Sequence, residues 1–163
     1  MQRSLSRRFL GRTIAVFGLV LGVSAVTQMP GVFAADETEL IAATKAGDSE
    51  RVAQLLEAGS NPNVFDRHRN TALIFAARDG HYEISRLLIA AGADVNWQDG
   101  EEVTPLILAA HKNHFEIACL LLDHGAKTGI RDRWGRDALT YALKRGKNDP
   151  IARLINEARI ADR

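Results

Sequence analysis

Apolar residues in this chain cluster at helical spacing, and the clusters come in pairs. Leu73, Ala76 and Ala77 precede Gly80, and Ile84, Leu87 and Leu88 precede Gly92. Positions three and four apart share one side of an α-helix, so the pattern predicts two short helices, each with a single apolar face and each stopped by a glycine. Glycine suits both stops because helices often close in a left-handed backbone conformation that a Cβ disfavours. The arrangement then recurs every 33 residues: Gly59, Gly92 and Gly125; Gly47, Gly80 and Asn113; Asp66, Asp99 and Asp132. Leu40, Leu73, Leu106 and Leu139 keep the same interval, as do Ala43, Ala76, Ala109 and Ala142. Units therefore run at about 36–65, 66–98, 99–131 and 132–163. One helix pair cannot bury its apolar face alone, whereas neighbours stacked in register share a continuous core, so the expected fold is an all-α, elongated solenoid.

Three phrases carry a resemblance. Thr104-Pro105-Leu106 is followed by Ala109-Ala110, Gly80-His81-Tyr82-Glu83-Ile84 by Leu87-Leu88, and the third phrase is Ala91-Gly92-Ala93-Asp94-Val95-Asn96. Together with the 33-residue period they resemble the ankyrin repeat family over residues 35–163. The resemblance implies about four helix-turn-helix units joined by protruding hairpin fingers, a concave face made by the fingers and first helices, and a role in binding other proteins. The histidine that usually follows the Thr-Pro-Leu phrase is replaced by Ile41, Ile74, Ile107 and Thr140. That removes a side chain able to bridge neighbouring loops, so less rigid loops are expected. Arg69 and Glu102 stand at the fingertip where the family prefers glycine, which Gly135 keeps. Asp36 with Glu39 suits a capping box, Asp149-Pro150 suits the start of a last helix, and Arg153, Glu157 and Arg159 suit a polar end surface.

The first 34 residues have a different character. Arg3, Arg7, Arg8 and Arg12 precede an apolar stretch from Ile14 to Val26, then Thr27-Gln28-Met29-Pro30 and Val32-Phe33-Ala34. This is the order of a secretory signal peptide cut after Ala34, and it predicts export, with the periplasm as destination. Ser6-Arg7-Arg8-Phe9-Leu10 also resembles a twin-arginine signal, with Phe9 in place of the usual intervening residue, so the general secretion route stays open. An uncleaved anchor is the alternative, since no charge occurs from Thr13 to Ala35. Membrane contact is expected only in that case.

The whole chain has 21 basic against 20 acidic residues, which lacks the positive excess of a non-specific nucleic-acid binder. Without the four leader arginines the balance is 17 against 20. Equivalent positions on the first helices give a column of Ala42, Phe75, Leu108 and Tyr141, bordered by Lys45, Arg78, His111 and Lys144 and then by Ala46, Asp79, Lys112 and Arg145. An apolar strip with a cationic border suits an acidic protein segment bearing apolar anchors. Packing between neighbouring helices explains the same apolar column without a partner. Trp134, near a fingertip between Arg133 and Arg136, is a second candidate anchor, whereas Trp97 aligns with Val64 and Ile130 and is expected to seal the finger bases. Candidate partner-binding residues are thus Phe75, Arg78, Leu108, His111, Lys112, Trp134, Tyr141, Lys144 and Arg145.

Catalytic chemistry finds little support. His111, His114 and Glu116 have the spacing of metal ligands, but His114 aligns with His81, so the repeat already accounts for it. No nucleophile turn and no glycine-rich phosphate loop is present. The sequence therefore predicts a non-catalytic module with no cofactor, no metal and no small-molecule substrate. Cys119, the one cysteine, aligns with Ala53 and Arg86 at a partly exposed place, where it is either a small inert filler or a thiol open to a mixed disulfide.

Overall fold

The computed structural model describes residues 33–161. The expected leader, residues 1–34, lies outside that span except for its last two positions. Eight helices occur among the described residues: α1 (Phe33–Ala46), α2 (Ser49–Glu57), α3 (Ala72–Asp79), α4 (Tyr82–Ala90), α5 (Pro105–Lys112), α6 (Phe115–Asp123), α7 (Ala138–Leu143) and α8 (Pro150–Ala161). They form two layers. The inner layer packs α1, α3, α5 and α7 side by side in chain order, the outer layer packs α2, α4, α6 and α8, and each inner helix meets the outer helix that follows it. The main packing contacts of each element stay within its own unit and the neighbouring ones, which makes the chain an all-α repeat solenoid.

The recurring residues explain the stack. Leu40, Leu73 and Leu106 are buried to the last ångström or nearly so, and burying such a side chain contributes about 2–3 kcal/mol. Ala76, Ala109 and Ala142 have no exposed surface, and their small side chains let neighbouring inner helices approach closely. Helix starts are specified locally. Thr71 Oγ1 accepts from Ile74 N at 3.4 Å, Thr104 Oγ1 from Ile107 N at 3.3 Å, and Asp137 Oδ1 from Thr140 N at 2.8 Å, so α3, α5 and α7 are capped at one equivalent position. Asp149 caps α8 through Ile151 N and Ala152 N, with Pro150 as the first helical residue.

Two end features differ from expectation. Helix α1 begins at Phe33, which places Asp36 and Glu39 inside the helix rather than at its cap, and the Glu39 carboxylate instead accepts from Arg51 of α2. Arg159 does not serve as polar covering: its guanidinium folds back to Asp137 Oδ2 at 2.6 Å and the Thr128 carbonyl at 2.8 Å. This pins the last helix onto the cap of α7.

The loops are tied together despite the missing histidine. Asn63 donates from Nδ2 to the Gly92 carbonyl at 3.1 Å and accepts from Asp94 N at 2.7 Å. One unit later Asn96 repeats both contacts with the Gly125 carbonyl and Lys127 N at 3.1 and 2.7 Å. Each asparagine thus satisfies two backbone groups of the following unit. Asparagine bridges the loops here, and Ile41, Ile74 and Ile107 at the histidine position are buried in the stack instead.

Candidate functional site

The fingers are built by the recurrent aspartates. Asp66 Oδ1 accepts from His68 N and Asn70 N at 2.8 and 2.9 Å, Asp99 Oδ1 from Glu101 N and Val103 N at the same distances, and Asp132 Oδ1 from Trp134 N and Arg136 N at 3.0 and 2.9 Å. A short side-chain acceptor that gathers the amides two and four residues on closes a tight turn, and the aspartate's own N–H closes the hairpin by donating to the carbonyl four residues on, at 3.0, 3.1 and 2.9 Å for Asp66, Asp99 and Asp132. Each turn places its fourth residue in the left-handed region: Arg69 at φ 64°, Glu102 at φ 62° and Gly135 at φ 74°. Neighbouring fingers are then stitched tip to tip, with Gly100 N donating to the His68 carbonyl at 2.9 Å and Arg133 N to the Glu101 carbonyl at 3.1 Å. Trp97 closes the bases as expected, half-buried, with Nε1 donating to the Arg69 carbonyl at 2.7 Å and its ring 5.3 Å from that of Phe65.

Asp132 is the most heavily used of the three. Its Oδ2 also accepts from Tyr141 OH at 2.7 Å and Arg136 Nε at 3.1 Å, while its side chain is fully buried. Burial acts to raise its carboxyl pKa, but the bonds from Tyr141, Arg136 N and Trp134 N and the Arg136 charge together hold it below the usual value. The same pairing works on Tyr141, whose phenol is pushed up to about 12 by burial and by the neighbouring carboxylate.

On the inner-helix face, Phe75 is 4% and Tyr141 7% exposed, and Leu108 is half-buried. The column is therefore not an open apolar strip, because cations lie across its rings. Lys45 Nζ stands 4.0 Å and Arg78 4.8 Å from the Phe75 centroid, and Lys144 Nζ 4.7 Å and Arg136 4.9 Å from that of Tyr141. The His111 ring completes the second cluster at 5.0 Å from Tyr141. Burial, followed by the charges of Lys112, Lys144, Arg145 and Arg136, holds the His111 pKa below its ordinary value, which favours a neutral imidazole there.

Among the candidate cations, the structure separates two kinds. Arg78 is forked onto Asp79 at 2.8 and 2.9 Å. Arg145 is held by Asp149 at 2.7 Å and donates to the Ala110 carbonyl at 2.5 Å, so it braces α7 and α8 against α5. Lys45, Lys112 and Lys144, in contrast, have no carboxylate within ion-pair distance among the described residues. They form the unpaired part of the cationic border. Trp134 is 53% exposed at its fingertip, with Arg133 and Arg136 at 5.2 and 4.6 Å from its ring.

The metal candidate is dispersed. His114 Nε2 donates to the Arg78 carbonyl at 3.2 Å, its ring lies against Gly80, and His111 is engaged with Tyr141. Among the described residues no three His, Cys, Asp or Glu side chains gather as a metal site. Cys119 is partly exposed, and burial together with the charges of Asp123 and Glu116 pushes its thiol pKa up, which disfavours the reactive thiolate.

Stacked helix pairs with stitched fingers make a repeat-built scaffold, the architecture of an interaction module. A family model described as ankyrin repeats (3 copies) matches residues 21–99, 40–132 and 87–163, and the chain belongs to the ankyrin repeat family, whose members typically bind other proteins without catalysis. A search of curated proteins found no match. The asparagine bridges went unread in the sequence although Asn63 and Asn96 carry the same 33-residue interval as the glycines. Their periodicity was the available signal.

Proposed function

We propose that this protein is exported, loses residues 1–34 on the way, and then holds a protein partner with an acidic segment against its inner-helix face and fingers. The observation that carries the reading is the set of lysines 45, 112 and 144, which lack carboxylate partners among the described residues while two of them are parked over buried rings. A cation resting on an aromatic face is oriented yet retains donors for an incoming carboxylate. Trp134 adds an exposed anchor at one end of the face, and the basic and then apolar order of residues 3–26 supports export.

The partner captured by the wild-type protein from periplasmic extract is the reagent for the first test. With Lys45, Lys112 and Lys144 all changed to Gln, its Kd is expected to rise at least about tenfold at low salt, and the remaining affinity should depend less on ionic strength. Because lysines in a last helical turn also complement the helix C-terminus, the melting curve is recorded alongside, with a loss of no more than about 1 kcal/mol per residue expected. Unchanged affinity and unchanged salt dependence would remove this face from the interaction. Intact-mass measurement of the protein in the extract tests export separately. A chain beginning near Ala35 is expected, and a chain retaining residues 13–35 in the membrane fraction would establish the tethered alternative instead.

A further inference from the structure

The stitched fingers enclose a cleft of ≈ 530 Å³ lined by Arg67, His68, Arg69, Asn70, Asp99, Gly100, Glu101 and Arg133. Its size falls in the range of small-ligand sites. Its charge is uneven. Asp99 spends Oδ1 on the amides of Glu101 and Val103, and Glu101 is opposed by Arg133 at 3.6 Å. Arg67 and Arg69 have no carboxylate within ion-pair distance among the described residues. Arg67 uses only Nε, donating to His68 Nε2 at 3.0 Å, and this fixes the imidazole with its remaining N–H on Nδ1.

Two guanidiniums of the first finger, Arg67 and Arg69, thus line the cleft with most of their donors unspent, beside Arg133, whose charge Glu101 shares at 3.6 Å, and planar forked donors suit oxyanions. Preorganisation is visible in the backbone. A Cβ on Gly100 would stand 2.9 Å from the His68 carbonyl, so glycine is what allows the first two tips to meet, and the Gly100 amide bonds that same carbonyl at 2.9 Å.

We propose that this cleft in the fingers is a binding site for a compact dianion, carboxylate or phosphate, carried by a small molecule, and that it works independently of the inner-helix lysines 45, 112 and 144. Both tryptophans report on it. Trp97 lies beneath Arg69 with 5.5 Å from the guanidinium to the ring, and Trp134 beneath Arg133 at 5.2 Å. Arginine drawn toward an anion leaves its ring, so intrinsic fluorescence is expected to change saturably when the full protein, in its native processed form, is titrated with succinate or with inorganic phosphate at a mildly alkaline pH where both are dianions. Acetate at matched ionic strength should give no such change. Arg67→Gln and Arg133→Gln are each expected to weaken the apparent affinity about tenfold. Gly100→Ala should weaken it as well by parting the tips. Lys45→Gln and Lys144→Gln should leave it intact, which separates this site from the face proposed for the protein partner. The tighter of the two dianions identifies the oxyanion class. A response that acetate reproduces, or one indifferent to Arg67→Gln and Arg133→Gln, would overturn the proposal.

Discussion

Asp132→Ala is expected to be the most damaging single change in the fingers, at about 3 kcal/mol, because it orphans the Trp134 and Arg136 amides and the Tyr141 hydroxyl at once. The ion pair with Arg136 adds little to that figure, since the guanidinium is about a third exposed and screened by solvent. Comparison with the equivalent residues isolates the cause. Asp66 and Asp99 gather the same pair of amides, but the position matching Tyr141 is Phe75 in one unit and Leu108 in the other, and neither offers a hydroxyl. Asp99→Ala should therefore cost less, and that difference reads out the Tyr141 bond, whereas Asp66→Ala also releases the Asn70 side-chain amide, which donates to both Asp66 oxygens at 3.2 Å. In urea denaturation the Asp132→Ala midpoint is expected to fall by roughly 1–3 M. Equal losses at Asp99 and Asp132 would mean that the Tyr141 contact contributes nothing.

The same residue sets a pH dependence whose direction follows from the shift. A carboxyl held below its unfolded value of 3.8 stabilises the fold at every pH above that value and stops doing so as the pH falls through the folded value. Asp66, Asp79, Asp137 and Asp149 are depressed as well: Asp66 against its burial by the amide and side chain of Asn70, Asp79 by Arg78, Asp137 against its burial by Thr140 and then Arg159, and Asp149 by Arg145. Stability should accordingly be flat through neutrality and fall steeply below about pH 4. Asp132→Asn retains an acceptor for the amides but cannot titrate, so its stability curve should fall less steeply in acid than the wild type's. Tyr141 acts at the opposite end. Its phenol is raised to about 12, so its contribution is complete below the ordinary value of 10 and is lost as the pH climbs from 10 through 12.

The 33-residue interval made the helices, their order and most of the core legible, because a repeat converts one local pattern into a global arrangement. Leu40, Leu73 and Leu106, and the glycines that follow most of the helices, need only spacing to be found. The proposed interaction face is legible in composition and not in exposure. Phe75 and Tyr141 lie on the inner helices, yet whether a ring there meets a partner or lies under a lysine depends on side-chain directions that spacing does not encode. For the same reason Arg78 and Arg145 read as free cations. Each finds its carboxylate, Asp79 and Asp149, through rotamer choice that spacing does not encode. The cleft between fingers lies furthest from sequence, since it draws on Arg67 and Arg133, 66 positions apart and two repeat intervals removed.

Gly80→Ala is expected to cost about 3 kcal/mol, part of it from the left-handed backbone at φ 83° and the rest from collision with His114. A Cβ built there would lie 2.6 Å from His114 Cε1, and the ring cannot simply swing away, because its Nε2 is bonded to the Arg78 carbonyl at 3.2 Å. Gly125, with φ 82° and nothing within 4 Å of a built Cβ, supplies the control: Gly125→Ala should cost only about 1 kcal/mol, the conformational part alone. The third unit shows how the chain itself handles the pairing. Gly47 faces His81 as Gly80 faces His114, but the equivalent of the next histidine is Lys147, and there the glycine is replaced by Asn113 at φ 66°. A side chain returns where no imidazole from the following unit occupies the space. The double variant Gly80→Ala with His114→Ala should therefore be less destabilised than the sum of the two single changes, with a coupling of about 1–2 kcal/mol in a thermal or urea melt. Additive losses would show that the imidazole yields freely and that glycine is kept at position 80 for its backbone conformation alone.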